Sequence, residues 1–266
     1  MNIVITGASN GLGAELAARY AAPGVTLGLT GRDSARLETV AGICRRAGAA
    51  VVVAALDVSD AAAMGDWLGD FDARHPVDLV IANAGISLGT AADGTLEGLA
   101  AFTRLVEINL LGAANTIEPL IPAMIRRGSG RIALIASIAS LRGLPYSPGY
   151  SASKAGLRTY GEALRAALRP KGIAVTVISP GFFDTAMTRQ FRGGTPFLIS
   201  VERAAEITKL SIDKRQARLI FPFLLGLGVR LTDLLPAWLG DMILRNFRFH
   251  IAPREVREHA PAGEHP

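Results

Sequence analysis

The sequence predicts an α/β fold, a doubly wound parallel sheet of about seven strands with helices on both faces. Three observations carry that expectation. Short apolar runs of strand length alternate with longer helical stretches along the chain. The first apolar run ends in a glycine-rich turn that opens a helix. Polar residues or glycines follow the ends of successive runs, and in such sheets those ends share the edge where ligands bind.

Residues 2–6, NIVIT, read as the first buried strand, followed by Gly7-Ala8-Ser9-Asn10-Gly11-Leu12-Gly13 and a helical stretch over 14–22. Glycine permits a tight turn and a close approach of backbone to a pyrophosphate. The helix N-terminus adds free N–H groups and the positive end of its dipole. Gly7, Ser9, Asn10, Gly11, Leu12 and Gly13 are therefore candidate dinucleotide-binding residues. Their spacing is G-x-x-x-G-x-G rather than G-x-G-x-x-G, and the same turn could stand without a ligand.

A second strand is expected over 25–30, followed by Gly31-Arg32-Asp33. The residue just past this strand would face an adenosine ribose, where an acid suits a free 2′-hydroxyl and an arginine suits a 2′-phosphate. Arg32 thus leans toward NADP, with NAD the other option. Asp33 or Ser34 would cap the helix over 34–47. The third strand covers 50–56 and is closed by Asp57 and Val58, with Asp57 facing an adenine edge or else capping the helix that starts near Asp60. A fourth strand over 77–82 ends in Asn83-Ala84-Gly85.

A long helix is expected over 99–127, with Asn109 in an apolar stretch. Asparagine is a modest helix former, so its place there suggests burial against a partner. A fifth strand over 131–136 brings Ser137 to its end, and a Gly/Pro-rich loop over 143–149 leads into the next helix. A sixth strand over 173–179 precedes Pro180-Gly181-Phe182-Phe183-Asp184-Thr185. A helix over 201–214 and a seventh strand over 217–221 follow.

The helix after the fifth strand carries Tyr150-Ser151-Ala152-Ser153-Lys154. Residues four apart share a helix face, so the Tyr150 phenol and Lys154 ammonium should point into the same space. A nearby cation would lower a tyrosine pKa from about 10, and a tyrosine so tuned can pass a proton to or from a substrate oxygen.

The net charge of +5 and pI of about 9.8 admit nucleic acid or an anionic surface as partners. The basic residues are dispersed and no nucleic-acid-binding motif is present, so no nucleic-acid partner is expected. The single cysteine, Cys44, suits a reducing compartment. No secretory signal is visible, and no uncharged apolar run is long enough to span a bilayer. A cytoplasmic location follows as an expectation, and no metal site is assigned.

Taken together, TGASNGLG at 6–13, NAG at 83–85, Asn109, Ser137 ahead of YSASK at 150–154, and PGFFDT at 180–185 resemble the short-chain dehydrogenase/reductase family. The resemblance covers roughly residues 2–185. It implies a Rossmann-like domain, an NAD(P) cofactor and interconversion of a carbonyl with a secondary alcohol. Tyr150 would be the acid/base, Lys154 would hold the ribose and lower the Tyr150 pKa, Ser137 would bind the substrate oxygen, and Asn109 would serve a proton relay. Asn83, Ala84 and Gly85 would line the dinucleotide. Pro180, Gly181, Phe183 and Thr185 would flank the nicotinamide. Asn10 stands where many NADP-preferring members carry a second base, so the NADP preference rests on Arg32. A non-catalytic dinucleotide sensor and a sugar-nucleotide epimerase or dehydratase are the alternative readings.

One catalytic domain is expected over 1–250, with 186–250 as substrate loop and apolar helical region and a polar mobile tail over 251–266. Between Leu219 and Phe249 the chain is dense in Leu, Ile, Phe and Trp, punctuated by Arg230, Arg245 and Arg248. Two short helices flanking the site mouth are expected there. They would face a hydrophobic substrate, a partner subunit of a homodimer or homotetramer, or a membrane surface touched peripherally.

Overall fold

The computed structural model describes residues 1–91, 94–245 and 249–251. Its strands are β1 (Asn2–Thr6), β2 (Thr26–Gly31), β3 (Ala50–Ala55), β4 (Leu79–Ala82), β5 (Gly130–Ile135), β6 (Ile173–Pro180), β7 (Phe191–Gly193), β8 (Arg218–Phe221) and β9 (Phe249–Ile251). Seven of them form one parallel sheet in the order β3-β2-β1-β4-β5-β6-β8. The expected doubly wound sheet is therefore present. The order runs outward in both directions from β1 and β4, so the strand ends near that reversal open a crevice at the carboxyl edge.

Side-chain alternation explains why the strands read as unbroken apolar runs. Ile3, Ile5, Leu27, Leu29, Leu79 and Ile81 face one core, shared with Leu16 and Leu37. Val4, Val80, Ile132, Leu134, Val175 and Val177 face the other, shared with Leu68, Ile117, Met124 and Leu157. Both faces are covered, as parallel sheets require. The first core is roofed by α1 (Gly11–Tyr20), α2 (Ser34–Arg46) and α8 (Val201–Asp213). The second is roofed by α3 (Ala61–Arg74), α5 (Gly112–Ile117), α6 (Ile121–Arg127) and α7 (Pro148–Leu168).

Helix starts follow local chemistry. Asp33 accepts from the Arg36 N–H at 3.0 Å, Asp60 from the Ala63 N–H at 3.0 Å, and Ser200 from the Arg203 N–H at 3.2 Å. Each satisfies one first-turn donor.

The single helix expected over 99–127 is broken into segments. It runs through α4 (Gly98–Val106), a π turn over Glu107–Leu111, α5, a 3₁₀ turn over Glu118–Leu120, and α6. Pro119 and Pro122 lack N–H groups and account for the later interruption. The π turn surrounds Asn109, which is fully buried. Its Oδ1 accepts from the Ile86 N–H at 2.8 Å, and its Nδ2 donates to the Ile86 carbonyl at 3.0 Å and to Ser153 Oγ at 3.0 Å. By length and composition this helical run could cross a membrane, but Ile108, Ile117 and Met124 are core residues beneath the sheet.

The C-terminal region forms the two short helices expected of it, α9 (Phe223–Leu231) and α10 (Ala237–Arg245), joined by a 3₁₀ turn over Thr232–Leu234. Arg142, in the loop five residues past Ser137, holds this segment. It donates to the Thr232 carbonyl at 2.7 Å and pairs with Asp233 at 2.9 Å and Asp241 at 3.1 Å. A short antiparallel pair, β7 with β9, ties residues 191–193 to 249–251. Phe247, Arg248 and the tail from 252 onward lie outside the described residues.

Replacing Asn109 with alanine strands the N–H and carbonyl of Ile86. Unfolding free energy from urea titration should fall by roughly 2–4 kcal/mol. A loss below about 0.5 kcal/mol, the scale of a neutral surface change, would show that Ile86 does not depend on Asn109.

Candidate active site

Pro148 occupies the first turn of α7, where its missing N–H costs nothing. Tyr150 and Lys154 then sit one helical turn apart. Lys154 is 4% exposed, Tyr150 is partly buried, and the Lys154 Nζ lies 6.0 Å from the centre of the Tyr150 ring. The ammonium donates to the carbonyl of Ile135, the last residue of β5, at 2.8 Å. Two residues on, the Ser137 Oγ accepts from the Ala139 N–H at 3.1 Å, and the Ser137 hydroxyl lies beside the Tyr150 phenol, whose pKa it acts to lower. Strand β5 and helix α7 thereby bring Ser137, Tyr150 and Lys154 together.

The electrostatics differ from the expectation that Lys154 lowers the Tyr150 pKa. Burial pushes the Tyr150 phenol above its ordinary value, and the Ser137 hydrogen bond only partly opposes this. Burial also pulls the Lys154 ammonium down, to about 8. The cation is directed at the Ile135 carbonyl, so desolvation governs both groups. A phenol held this way keeps its proton at neutral pH and can give it up to a substrate oxygen beside Ser137.

Asn109 joins the set from below. Ser153, which accepts from Asn109, donates to the Tyr150 carbonyl at 2.8 Å. A Cβ at Gly85, three residues past β4, would meet Asn109 Oδ1 at 3.0 Å and Lys154 Nζ at 3.3 Å, so a glycine there lets the backbone lie close to both side chains. Ser153 escaped the sequence reading, although it lies three residues past Tyr150 on the same helix.

The edge left of this cluster is built for close backbone approach. Gly7 has φ +66, and a Cβ there would sit 2.8 Å from the Ala84 Cα. At Gly13 a Cβ would meet the Gly7 carbonyl at 2.4 Å. Asn83 locks the two strand ends together, donating from Nδ2 to the Thr6 carbonyl at 3.0 Å and the Gly7 carbonyl at 3.3 Å. The Thr6 hydroxyl accepts from the N–H groups of Asn83 at 3.1 Å and Ala84 at 3.2 Å. Asn10 is exposed and its side chain does not cap α1, so first-turn N–H groups remain for an anion. Leu12 and Val58 are buried, Leu12 in the first core and Val58 in the second. Ser9 lies beside Gly31 at the end of β2.

On the far side of the glycine turn, a Cβ on Gly11 would be 3.3 Å from the Thr185 Cγ2. The loop after β6 therefore faces this turn. Its start is fixed by the Gly181 N–H to the Phe221 carbonyl at 2.7 Å, and Thr185 shares a hydroxyl hydrogen bond with Thr188 at 2.8 Å. Pro180 ends β6, and the Phe183 carbonyl accepts from Thr188. This cradle fits a dinucleotide. Gly7 and Gly13 leave no room for a side chain, the helix offers donors, and the loop after β6 lies opposite.

Beyond β3, burial alone would raise the Asp57 carboxyl. Hydrogen bonds from the Ser59 N–H and hydroxyl and from Arg104 outweigh it and hold the carboxyl below its ordinary value. Arg104, on α4, reaches Asp57 Oδ2 at 2.9 Å, whereas Arg32 is 3.9 Å from the same oxygen and its side chain is 61% exposed. Asp57 does not cap the helix after it, since Asp60 does. Nothing in the sequence flags Arg104, because its partner is 47 residues away.

Comparison with known proteins agrees with this geometry. The family described as short chain dehydrogenase matches residues 1–195. An uncharacterized oxidoreductase of Myxococcus xanthus is 35% identical over 246 residues, covering 92% of this chain and 96% of that protein. A short-chain dehydrogenase from Sphingobium yanoikuyae in complex with NADPH superposes with TM-score 0.76 at 25% identity, covering 98% of each chain. A short chain dehydrogenase from Mycobacterium paratuberculosis bound to NAD shares the fold, with TM-score 0.72 at 23% identity over 82% of this chain and 95% of that one. With the matched segment spanning every strand end that builds the site, the chain belongs to the short-chain dehydrogenase family of oxidoreductases.

Proposed function

We propose that the protein is an NADP-preferring oxidoreductase that interconverts a carbonyl and a secondary alcohol on a hydrophobic or lipid-like substrate. The observation that carries this reading is the Ser137–Tyr150 hydroxyl pair with Lys154 buried beside it. A bound nicotinamide dinucleotide supplies the hydride in reduction and takes it in oxidation. Ser137 hydrogen-bonds the carbonyl oxygen and stabilises the charge that develops on it. Tyr150, whose raised pKa keeps it protonated, donates its phenolic proton to that oxygen; in oxidation the proton returns to the phenolate. Lys154 would hold the ribose hydroxyls of a bound dinucleotide, and Asn109 with Ser153 fixes the turn of α7 from which Tyr150 projects.

Arg32 supports the phosphorylated dinucleotide. Arg104 holds Asp57 more closely than Arg32 does, which leaves the exposed Arg32 guanidinium able to meet a 2′-phosphate. The Sphingobium relative was solved with NADPH and the Mycobacterium one with NAD, so the fold admits either and the choice rests on Arg32. Met187, Phe197 and Leu198, all exposed between β6 and α8, favour an apolar substrate. An intact Ser137, Tyr150 and Lys154 set disfavours a purely sensory role.

A panel of ketones and secondary alcohols, followed by nicotinamide absorbance, should show turnover with NADPH or NADP⁺ on bulky apolar members. Arg32→Asp should weaken NADPH binding about 10- to 100-fold and leave NADH binding little changed. Equal affinity of the unaltered protein for NADPH and NADH would sink the NADP preference.

The Lys154 pKa makes a signed prediction for the cofactor-free protein. The folded value is about 8 and the ordinary value 10.5, so between them the unfolded chain carries a proton that the folded chain has released. Relative to Lys154→Met, stability should therefore be flat below the folded value, rise through that window and level off above it. A difference that is flat throughout, or falls with pH, would contradict the buried ammonium.

A further inference from the structure

The C-terminal helices present large apolar side chains to solvent. Phe223, Leu224 and Leu231 on α9, Leu234 in the turn, and Trp238 and Met242 on α10 are all exposed, Leu234 by 81% and Trp238 by 70%. Burying one such side chain is worth about 1.5–3 kcal/mol, so this face would gain by being covered.

The charges around it are arranged unevenly. Asp233 and Asp241, the acids of this segment, are both held by Arg142. Beside α9 lies a notch bordered by Leu141 and Ile220 and lined by Arg158, Arg218 and Arg230 with one acid, Glu162. Glu162 pairs with Arg158 at 2.9 Å and Arg218 at 3.1 Å. Arg230 is exposed, has no ion-pair partner among the described residues, and immediately precedes Leu231. Three arginines to one acid leave the notch positive next to the apolar face, and Arg142 offsets one of the two neighbouring acids.

We propose that the α9–α10 face docks on an anionic lipid surface. The apolar side chains enter the interface, and the arginine notch takes phosphate headgroups, with the arginine stems lying along apolar surface. A second copy of the chain is a poorer match, because a two-fold contact centred here would set the arginine excess against itself. Docked this way, the Leu141–Arg142 loop next to Ser137 faces the lipid, so an apolar substrate need not cross water to reach the site. The docking does not depend on the redox reading, and its test measures binding rather than turnover.

The test is co-sedimentation with vesicles of phosphatidylcholine alone and of phosphatidylcholine with phosphatidylglycerol. The intact protein, Leu234→Glu/Trp238→Glu and Arg218→Glu/Arg230→Glu are compared, each checked for folding by circular dichroism and thermal unfolding. The four positions are exposed, so the variants should fold. The intact protein should bind the anionic vesicles preferentially, and each variant should bind them at least roughly tenfold more weakly. Absence of binding by the intact protein, equal binding to both vesicle types, or full binding by folded variants would each overturn the proposal. So would absence of vesicle binding coupled with a fall in oligomeric state of the Leu234→Glu/Trp238→Glu variant by light scattering, which would assign the face to a second copy.

Discussion

A single buried amide holds the parts of the candidate active site in one frame. Asn109 sits in a turn of π helix and makes three hydrogen bonds, two to the backbone of Ile86 and one to Ser153. Ile86 follows the Asn83–Gly85 turn at the end of β4, and Ser153 is one turn into α7. The amide therefore fixes the distance between the glycine-turn edge and the helix that carries Tyr150 and Lys154. Leaving a buried amide or its partners unpaired is expensive, so the wider turn that accommodates Asn109 is held in place by the bonds it permits. The helical run around it is otherwise apolar and core-packed, which makes any alternative placement of the side chain worse.

On that frame, burial decides the protonation chemistry. Lys154 and Tyr150 are one helical turn apart, yet the ammonium is engaged with the Ile135 carbonyl and the phenol with Ser137. Desolvation moves both toward their neutral forms. A tyrosine that retains its proton at neutral pH is suited to be the acid in carbonyl reduction. At the other end of the crevice, Arg104 takes charge of Asp57, so the carboxylate does not neutralise Arg32 at close range. The two ends are thus tuned by different means, one by exclusion of water and one by partition of an acid between two arginines.

Much of this could be read from the chain alone, for physical reasons that vary by element. Parallel strands covered on both faces leave continuous apolar runs, so all seven sheet strands are visible as segments, and the glycine turn is local. The burial of Asn109 is visible as a polar residue in an apolar run, but its partners lie 23 and 44 residues away and no spacing announces them. The same holds for Arg104 with Asp57, and for Arg142 with Asp233 and Asp241, separated by 91 and 99 residues. The pairing of β7 with β9 involves three residues on each side, too few for alternation to register. The Tyr150 pKa is raised rather than lowered: the four-residue spacing reveals proximity to Lys154, whereas the desolvation that dominates belongs to the folded core.

The central claim is that the Tyr150 hydroxyl transfers the proton while the rest of the site binds without it. Tyr150→Phe removes that oxygen alone. On any substrate turned over by the intact enzyme, dinucleotide affinity by fluorescence titration should stay within about twofold, and turnover should fall by about 10²- to 10⁴-fold. Turnover close to that of the intact enzyme, with the cofactor still bound, would contradict the account.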